Sequence, residues 1–347
     1  MSTIARASVE TVATTPARGL AARRDVAIDT LRGIAILMVI GIHSFRQPLA
    51  SWQIVGDAAL RPCVPIFLFA SGYLTALSGR VALGKRMTTA IVPYALAFLA
   101  AYAYMTLHNP AMDHRVVTTI ARFILAYVFV YYYVFVYLGC TTVLWLVYAA
   151  SNAGEEERLT PLLLLALLFG LISGTYLDPL ADRLGLSEAL IEELRMRDIP
   201  FWFGFVALGA LIGLYELRPR LRDMRGLLLG ATLIAYAIYA AVRLSGLGDA
   251  ADYDSVAYFG YAALLCILLL ALDGRLPFLA AIGSGSYFIY LWHIFIVMAL
   301  RDHTGLDRFD PATGFVITYA VTAIGSVAAL VLIRAGAPPR LSRWLGA

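Results

Sequence analysis

Two ionisable side chains interrupt an apolar stretch near the start of the chain. In DTLRGIAILMVIGIHS, Asp29 to Ser44, Arg32 lies near one end and His43 near the other. Eleven residues at about 100° each make three turns plus roughly 20°, so on a helix the two side chains share a face. At about 1.5 Å of rise per residue they stand roughly 16 Å apart. A guanidinium grips phosphate oxygens bidentately. An imidazole takes a proton from a hydroxyl near neutral pH. Ionisable groups at membrane depth are costly, which argues for a role. The bland alternative has Arg32 reaching for headgroups or pairing with Asp29 one turn away, and His43 as a packed histidine.

Other residues invite the same question. In LAAIGSGSYFIYLWHIFIV (279–297), Tyr290 and His293 are three apart and share a face of a helix. Counted along a straight helix from Leu279, His293 lies about 21 Å in, against about 22 Å for His43 counted from Ile28. The two histidines are therefore expected at similar depth. In VPIFLFASGYL (64–74), the small pair Ser71-Gly72 permits close backbone approach. Arg80, Lys85 and Arg86 form a basic cluster where a polyanion would dock. The run AYVFVYYYVFVY (126–137) reads equally as the lining of a polar path and as an interfacial aromatic belt. His108, His114 and His303 sit at loop edges. Cys63, Cys140 and Cys266 stand alone, without the clustering that a metal or redox site needs, so no metal is expected.

These residues must be held by membrane helices. The chain has 347 residues, 61% hydrophobic and 14% charged, with mean hydropathy +0.78. A soluble domain is about half apolar and a quarter charged. A span takes about 20 apolar residues, which predicts ten at roughly 27–45, 61–78, 87–107, 128–150, 159–177, 200–217, 226–244, 255–273, 279–300 and 313–333. The apolar run 119–150 exceeds one span, so a re-entrant or interfacial piece is expected before Tyr131. Loop 178–199 is amphipathic enough for a short surface helix. With ten spans, one side gathers 16 of the 27 basic residues, including the loop ELRPRLRDMR (216–225). The other side carries acids such as Asp249, Asp252 and Asp254. The positive-inside rule then makes both termini cytoplasmic.

The expectation is thus an all-α polytopic membrane protein: a disordered cytoplasmic tail over 1–26, one membrane domain over 27–334 and a cytoplasmic C-terminal tail over 335–347. The leader lacks the apolar core of a signal peptide, so the first span is its own insertion signal. The net charge of +4, from 26 Arg and the single Lys85, bears on orientation rather than on nucleic acid.

IDTLRGIAILMVIGIH (28–43) resembles the R-x10-H phrase that marks the first span of the acyltransferase-3 family of integral-membrane acyltransferases. The likeness continues in order through Phe67–Leu74, the pair Lys85-Arg86, Gly283–His293 and the ending RLSRWLGA. It implies a ten-span core that takes an acyl group, usually acetyl from acetyl-CoA, on the cytoplasmic side. The group would pass to a hydroxyl of a surface glycan or its lipid-linked precursor on the far side of a bacterial plasma membrane. It makes His43 the essential histidine, Arg32 its paired arginine, and Lys85 and Arg86 part of the donor region. Acyl-CoA would be a co-substrate, with no tightly bound cofactor. The chain departs from the family at Ala90, where members often carry an arginine three residues before Pro93. It carries no esterase-like appendage, as expected of a stand-alone form.

In the resulting mechanism, the CoA phosphates meet Arg32, Lys85 and Arg86, and His43 is general base toward the acceptor hydroxyl. An acyl-histidine intermediate is the variant. Ser71 and Tyr290 are candidate donors to the oxyanion, and His293 joins them as a candidate acceptor contact. The rival class is a secondary transporter for an anionic or sugar-like solute, with Arg32 and His43 as binding and proton-coupling groups. The lack of a visible repeat or of Gly/Pro-broken spans counts against it. A silent exporter or an assembly partner of glycan machinery is the third reading.

Overall fold

The computed structural model describes residues 25–109, 111–128, 130–151, 156–248 and 254–347, apart from the side chain of Asp307. The expected leader tail, as far as residue 24, and the loop acids Asp249 and Asp252 lie outside the described residues. Those described hold no strand and sixteen α-helices. The first eight are α1 (Val26–Ser44), α2 (Ser51–Leu60), α3 (Cys63–Ser78), α4 (Leu83–His108), α5 (Val116–Ile124), α6 (Tyr132–Ala150), α7 (Glu156–Arg183) and α8 (Glu188–Met196). Then come α9 (Ile199–Leu214), α10 (Arg218–Asp223), α11 (Arg225–Ser245), α12 (Val256–Leu272), α13 (Pro277–Ser284), α14 (Ser286–His303), α15 (Pro311–Gly336) and α16 (Pro339–Leu345).

Each of the ten expected segments falls on a helix, but they do not all qualify as simple spans. Eight helical stretches are long and apolar enough to cross a membrane: α1, α2–α3, α4, α6, α7, α8–α9, α11 and α15. Helix α12, at 17 residues, is just short. The expected ninth span is broken, because α13 and α14 meet at a 78° bend. The reason is local and tertiary together. Gly283, Ser284, Gly285 and Ser286 are weak helix formers, and Gly283 lies so close to α1 that a Cβ would stand 1.8 Å from the Asp29 carbonyl oxygen. The expectation of no broken span is therefore corrected.

The shorter pieces fit the surplus found in the sequence. Helix α5 buries none of its residues and turns Val116, Val117, Ile120 and Ile124 outward, as an interfacial helix does. A short helix, α8, does form within 178–199, and it belongs with α9 to one of the eight long apolar stretches. The segment set apart as a C-terminal tail carries α16, whose Leu345 carbonyl accepts a hydrogen bond from Trp292 Nε1 at 3.2 Å.

Polar caps define where helices begin. Asp25 accepts from the Ala27 N–H at 2.9 Å at the start of α1, and Asp198 and Ser255 cap α9 and α12 in the same way. Two close packings then build the interior. A Cβ at Gly33 would stand 2.1 Å from the Leu279 carbonyl oxygen, so α1 and α13 touch backbone to backbone. A Cβ at Gly72 would stand 2.0 Å from the Val206 oxygen, and one at Gly209 2.1 Å from that of Phe69, joining α3 to α9. Small residues allow that approach, and without it lipid-phase helices have little to drive them together. Helix α1 ends up central, while α7, α11 and α15 expose leucines and isoleucines around the rim.

Ion pairs tie the helix ends. Arg218 bridges Asp25 at 2.6 Å and Asp273 at 2.5 Å, joining the starts of α1 and α10 to the end of α12. At the opposite end, buried Asp57 pairs with Arg61 at 2.8 Å and with Arg243 of α11. Arg195 likewise pairs with buried Asp178.

Candidate active site

At the Arg32 end, α1, α3, α4, α6 and α14 enclose a cavity of roughly 430 Å³. Arg32 enters from α1, Lys85, Arg86 and Ala90 from α4, Tyr133 and Tyr137 from α6, and Ser286, Tyr287 and Tyr290 from α14. An adjoining recess adds Ser71 and Leu74. Such a volume is within the range of small-molecule sites.

Charge is concentrated at its mouth. Arg32 donates to Ser286 Oγ at 3.3 Å and stands 3.6 Å from Asp29 Oδ1, so the expected headgroup-end ion pair and a place in the cavity coexist. Arg86 donates through Nη2 to Thr75 Oγ1 at 2.7 Å, and its Nη1 is buried without a partner among the described residues. An unpaired buried guanidinium nitrogen is costly, and an anion in the cavity would relieve it. Lys85 and Arg86 sit in the first turn of α4 rather than in a loop. That placement puts cations against the positive end of the helix dipole, and Arg32 meets the first residue of α14 in a similar way. Two helix starts and three cations favour negative charge at this mouth. Ala90, where the family pattern has arginine, contributes a buried apolar wall, and its carbonyl accepts from Tyr287 Oη at 2.6 Å.

Tyrosines close the inner end. Tyr290 donates its hydroxyl to the Val130 carbonyl at 2.6 Å and packs edge-on against Tyr133 at 5.4 Å. That proton is committed in this structure. Tyr131, behind them, donates to the Leu291 carbonyl at 2.8 Å. The tyrosine run thus divides by position: Tyr133 and Tyr137 line the cavity, Tyr131 is buried and Tyr127 is exposed.

Beyond this floor lie the histidines. His43, partly buried in the last turn of α1, and fully buried His293 of α14 have ring centroids 5.5 Å apart. Neither lines the cavity, whereas Tyr290, 6.4 Å from His293, does. Arg301 donates to the carbonyls of His43 at 2.7 Å and Phe45 at 3.0 Å, closing the end of α1. The count that placed the two histidines at one depth ran up a straight helix from Leu279, which the bend at Gly285 invalidates. The rings meet because α14 begins afresh at Ser286, beside Arg32, and runs alongside α1.

The structure therefore gathers Arg32, Lys85, Arg86, Ser71 and Tyr290 around one cavity and holds His43 with His293 just past its floor. Sequence reasoning left Ser286, Tyr133 and Tyr137 without a role. For the tyrosines, the only signal was a run with two readings. The three cysteines are buried and unpaired by disulfide.

A family model described as an acyltransferase domain, that of the acyltransferase-3 family, matches residues 25–333. No curated protein and no solved structure matches the chain.

Proposed function

Because the chain belongs to the acyltransferase-3 family, and so is a membrane acyltransferase, we propose that it moves an acyl group from acyl-CoA to a hydroxyl across the bilayer. The acyl group would be acetyl, and the acceptor a surface glycan or its lipid-linked precursor. One observation carries this reading: α1 and α14 together hold a cation-lined cavity at one end and a histidine pair at the other. Charge on the loops favours a cytoplasmic position for the Arg32 end, in a bacterial plasma membrane.

The donor's phosphates meet Lys85 and Arg86 at the mouth, with the unpaired Nη1 of Arg86 and the start of α4 directed to anions. Its pantetheine arm follows the tyrosine-lined cavity toward Tyr133 and Tyr290. His43 takes the proton of the acceptor hydroxyl as that oxygen bonds to the thioester carbon. The tetrahedral intermediate then collapses, the C–S bond breaks, and the thiolate recovers the proton from His43 to leave as CoA-SH. Ser71 lines the recess at the Arg32 end, and would donate to the oxyanion only if the thioester carbon reacts on the cavity side of the floor. The transporter reading gains one feature that the sequence did not show, the broken α13–α14 pair. Family membership weighs on the side of transfer.

The test uses the purified full chain in lipid nanodiscs with radiolabelled acetyl-CoA and a polysaccharide or lipid-linked sugar acceptor. Transfer is expected, with loss of at least about 100-fold on His43→Ala at unchanged melting temperature. Full transfer by His43→Ala would remove the general-base assignment.

A further inference from the structure

The contact between His43 and His293 goes beyond shared depth. Two acceptors, the carbonyl oxygens of Ile289 at 3.0 Å and Tyr290 at 2.9 Å, face His293 Nδ1. Carbonyl oxygens only accept, so Nδ1 carries the hydrogen and the neutral ring has its lone pair on Nε2. Both carbonyls belong to α14 itself, so the helix fixes tautomer and ring together. That Nε2 is buried and has no hydrogen-bond partner among the described residues, and the side chain is fully buried. A buried acceptor left empty costs about 1–3 kcal/mol. The His43 ring packs against that of His293, at 5.5 Å between centroids and 37° between planes. The second torsion of histidine is broad, so a turn of the His43 ring is the motion that would bring an N–H to that lone pair.

Resting on the acyl-transfer reading above, we infer that His293 is the positioning residue of His43: its Nε2 accepts the N–H of the His43 ring and so leaves the other ring nitrogen of His43 as the base. This is the logic by which a catalytic base is oriented by a third group, with a neutral imidazole in place of a carboxylate. The choice of group suits the place. A carboxylate buried at this depth would need a paired cation, whereas a neutral imidazole anchored on backbone carbonyls carries no charge into the bilayer. When His43 takes the acceptor's proton, the new imidazolium shares its inward N–H with His293 Nε2. The proton stays on His43 and returns to the departing thiolate, so His293 neither gains nor loses one over the cycle.

The experiment compares His293→Leu and His293→Gln with the unaltered chain in nanodiscs, measuring kcat, the donor KM and melting temperature. Gln is chosen because its Oε1 accepts a hydrogen bond near the place of Nε2. His293→Leu is expected to lower kcat by about 10- to 100-fold, as lost outer-shell partners do, with the donor KM within twofold. His293→Gln is expected to recover most of kcat. In a His43→Ala background, His293→Leu is expected to change the residual rate by less than twofold, since its effect passes through His43. A wild-type kcat for His293→Leu overturns the inference while leaving the function standing. So does a loss that Gln fails to recover and that tracks melting temperature. If the unaltered chain transfers no acyl group, or if His43→Ala retains full rate, the functional reading falls and the positioning role with it.

Discussion

Arg32 of α1 donates to Ser286 Oγ, the first residue of α14, across 3.3 Å. That contact exists because the chain breaks at Gly285 instead of running straight from Pro277. The break brings a helix start to the guanidinium, and the same two helices then continue to the His43–His293 contact at 5.5 Å. One helix pair thus frames both halves of the site, and substitutions on it sort by which half they disturb.

Arg86→Met is expected to raise the KM for acyl-CoA by roughly 10- to 100-fold, the worth of one or two hydrogen bonds from a charged donor. It should leave kcat near its original value, because in the proposed function the residue meets the donor far from the hydroxyl. Steady-state kinetics against acetyl-CoA check this. An unchanged KM would remove Arg86 from the donor site.

Glycines in the same fold should respond in opposite directions. At Gly33 a methyl group would overlap the Leu279 carbonyl oxygen, whereas at Gly230, within α11, nothing lies within 4 Å. Gly33→Ala is expected to destabilise the protein by about 1–3 kcal/mol through overpacking. Gly230→Ala should raise stability by about 0.5–1 kcal/mol through helix propensity. Thermal unfolding in detergent separates the two.

Asp57 holds two arginines from different helices while being almost wholly buried itself. Asp57→Ala would remove the carboxylate that Arg61 and Arg243 share at the His43 end, a change expected to cost about 3–5 kcal/mol. A melting temperature within a degree of the original would show that water replaces the carboxylate there.

Asp310 caps α15, accepting from the Ala312 N–H at 3.0 Å and the Thr313 N–H at 3.1 Å. Hydrogen bonds from the Thr313 hydroxyl and from these N–H groups hold its carboxyl below the ordinary value near 3.9. Its folded form prefers the carboxylate, so the stability it adds is present above that ordinary value and is lost as pH falls through the lowered folded one. Asp310→Asn should keep a cap but flatten this part of the acid limb. Melting curves between pH 2 and 6 would show it, and an identical acid limb in Asp310→Asn would refute the capping account.

The ten apolar segments were legible because lipid demands long runs of apolar helix, and every one of them is helical. Legible too were the Arg32–His43 strip, the close approach at Gly72 and the surplus before Tyr131. The break at Gly285 was not, because α13 and α14 are both apolar and hydropathy carries no direction. Its cause lies in Gly283 meeting the Asp29 carbonyl, a contact 254 residues apart in sequence. The partner of Asp57 on α11 was hidden for the same reason, since charge pairing between distant helices leaves no local trace. Tyr133 and Tyr137 could not be told from a belt at the membrane surface until α6 was seen to face the cavity.

The tyrosine floor between cavity and histidines has an electrical consequence. A water-filled route from Arg32 to His43 would let protons run down the membrane potential, which does work of about 2.3 kcal/mol per charge for each 100 mV. Tyr133 and Tyr290, packed edge to face with the Tyr290 hydroxyl tied to Val130, set aromatic rings in that stretch. In the proposed mechanism, the thioester end of the donor has to pass it to reach His43. If the donor's phosphates stay at the Arg32 mouth, as the proposed function has it, no phosphate charge crosses the potential, and the transfer rate is expected not to change with membrane voltage.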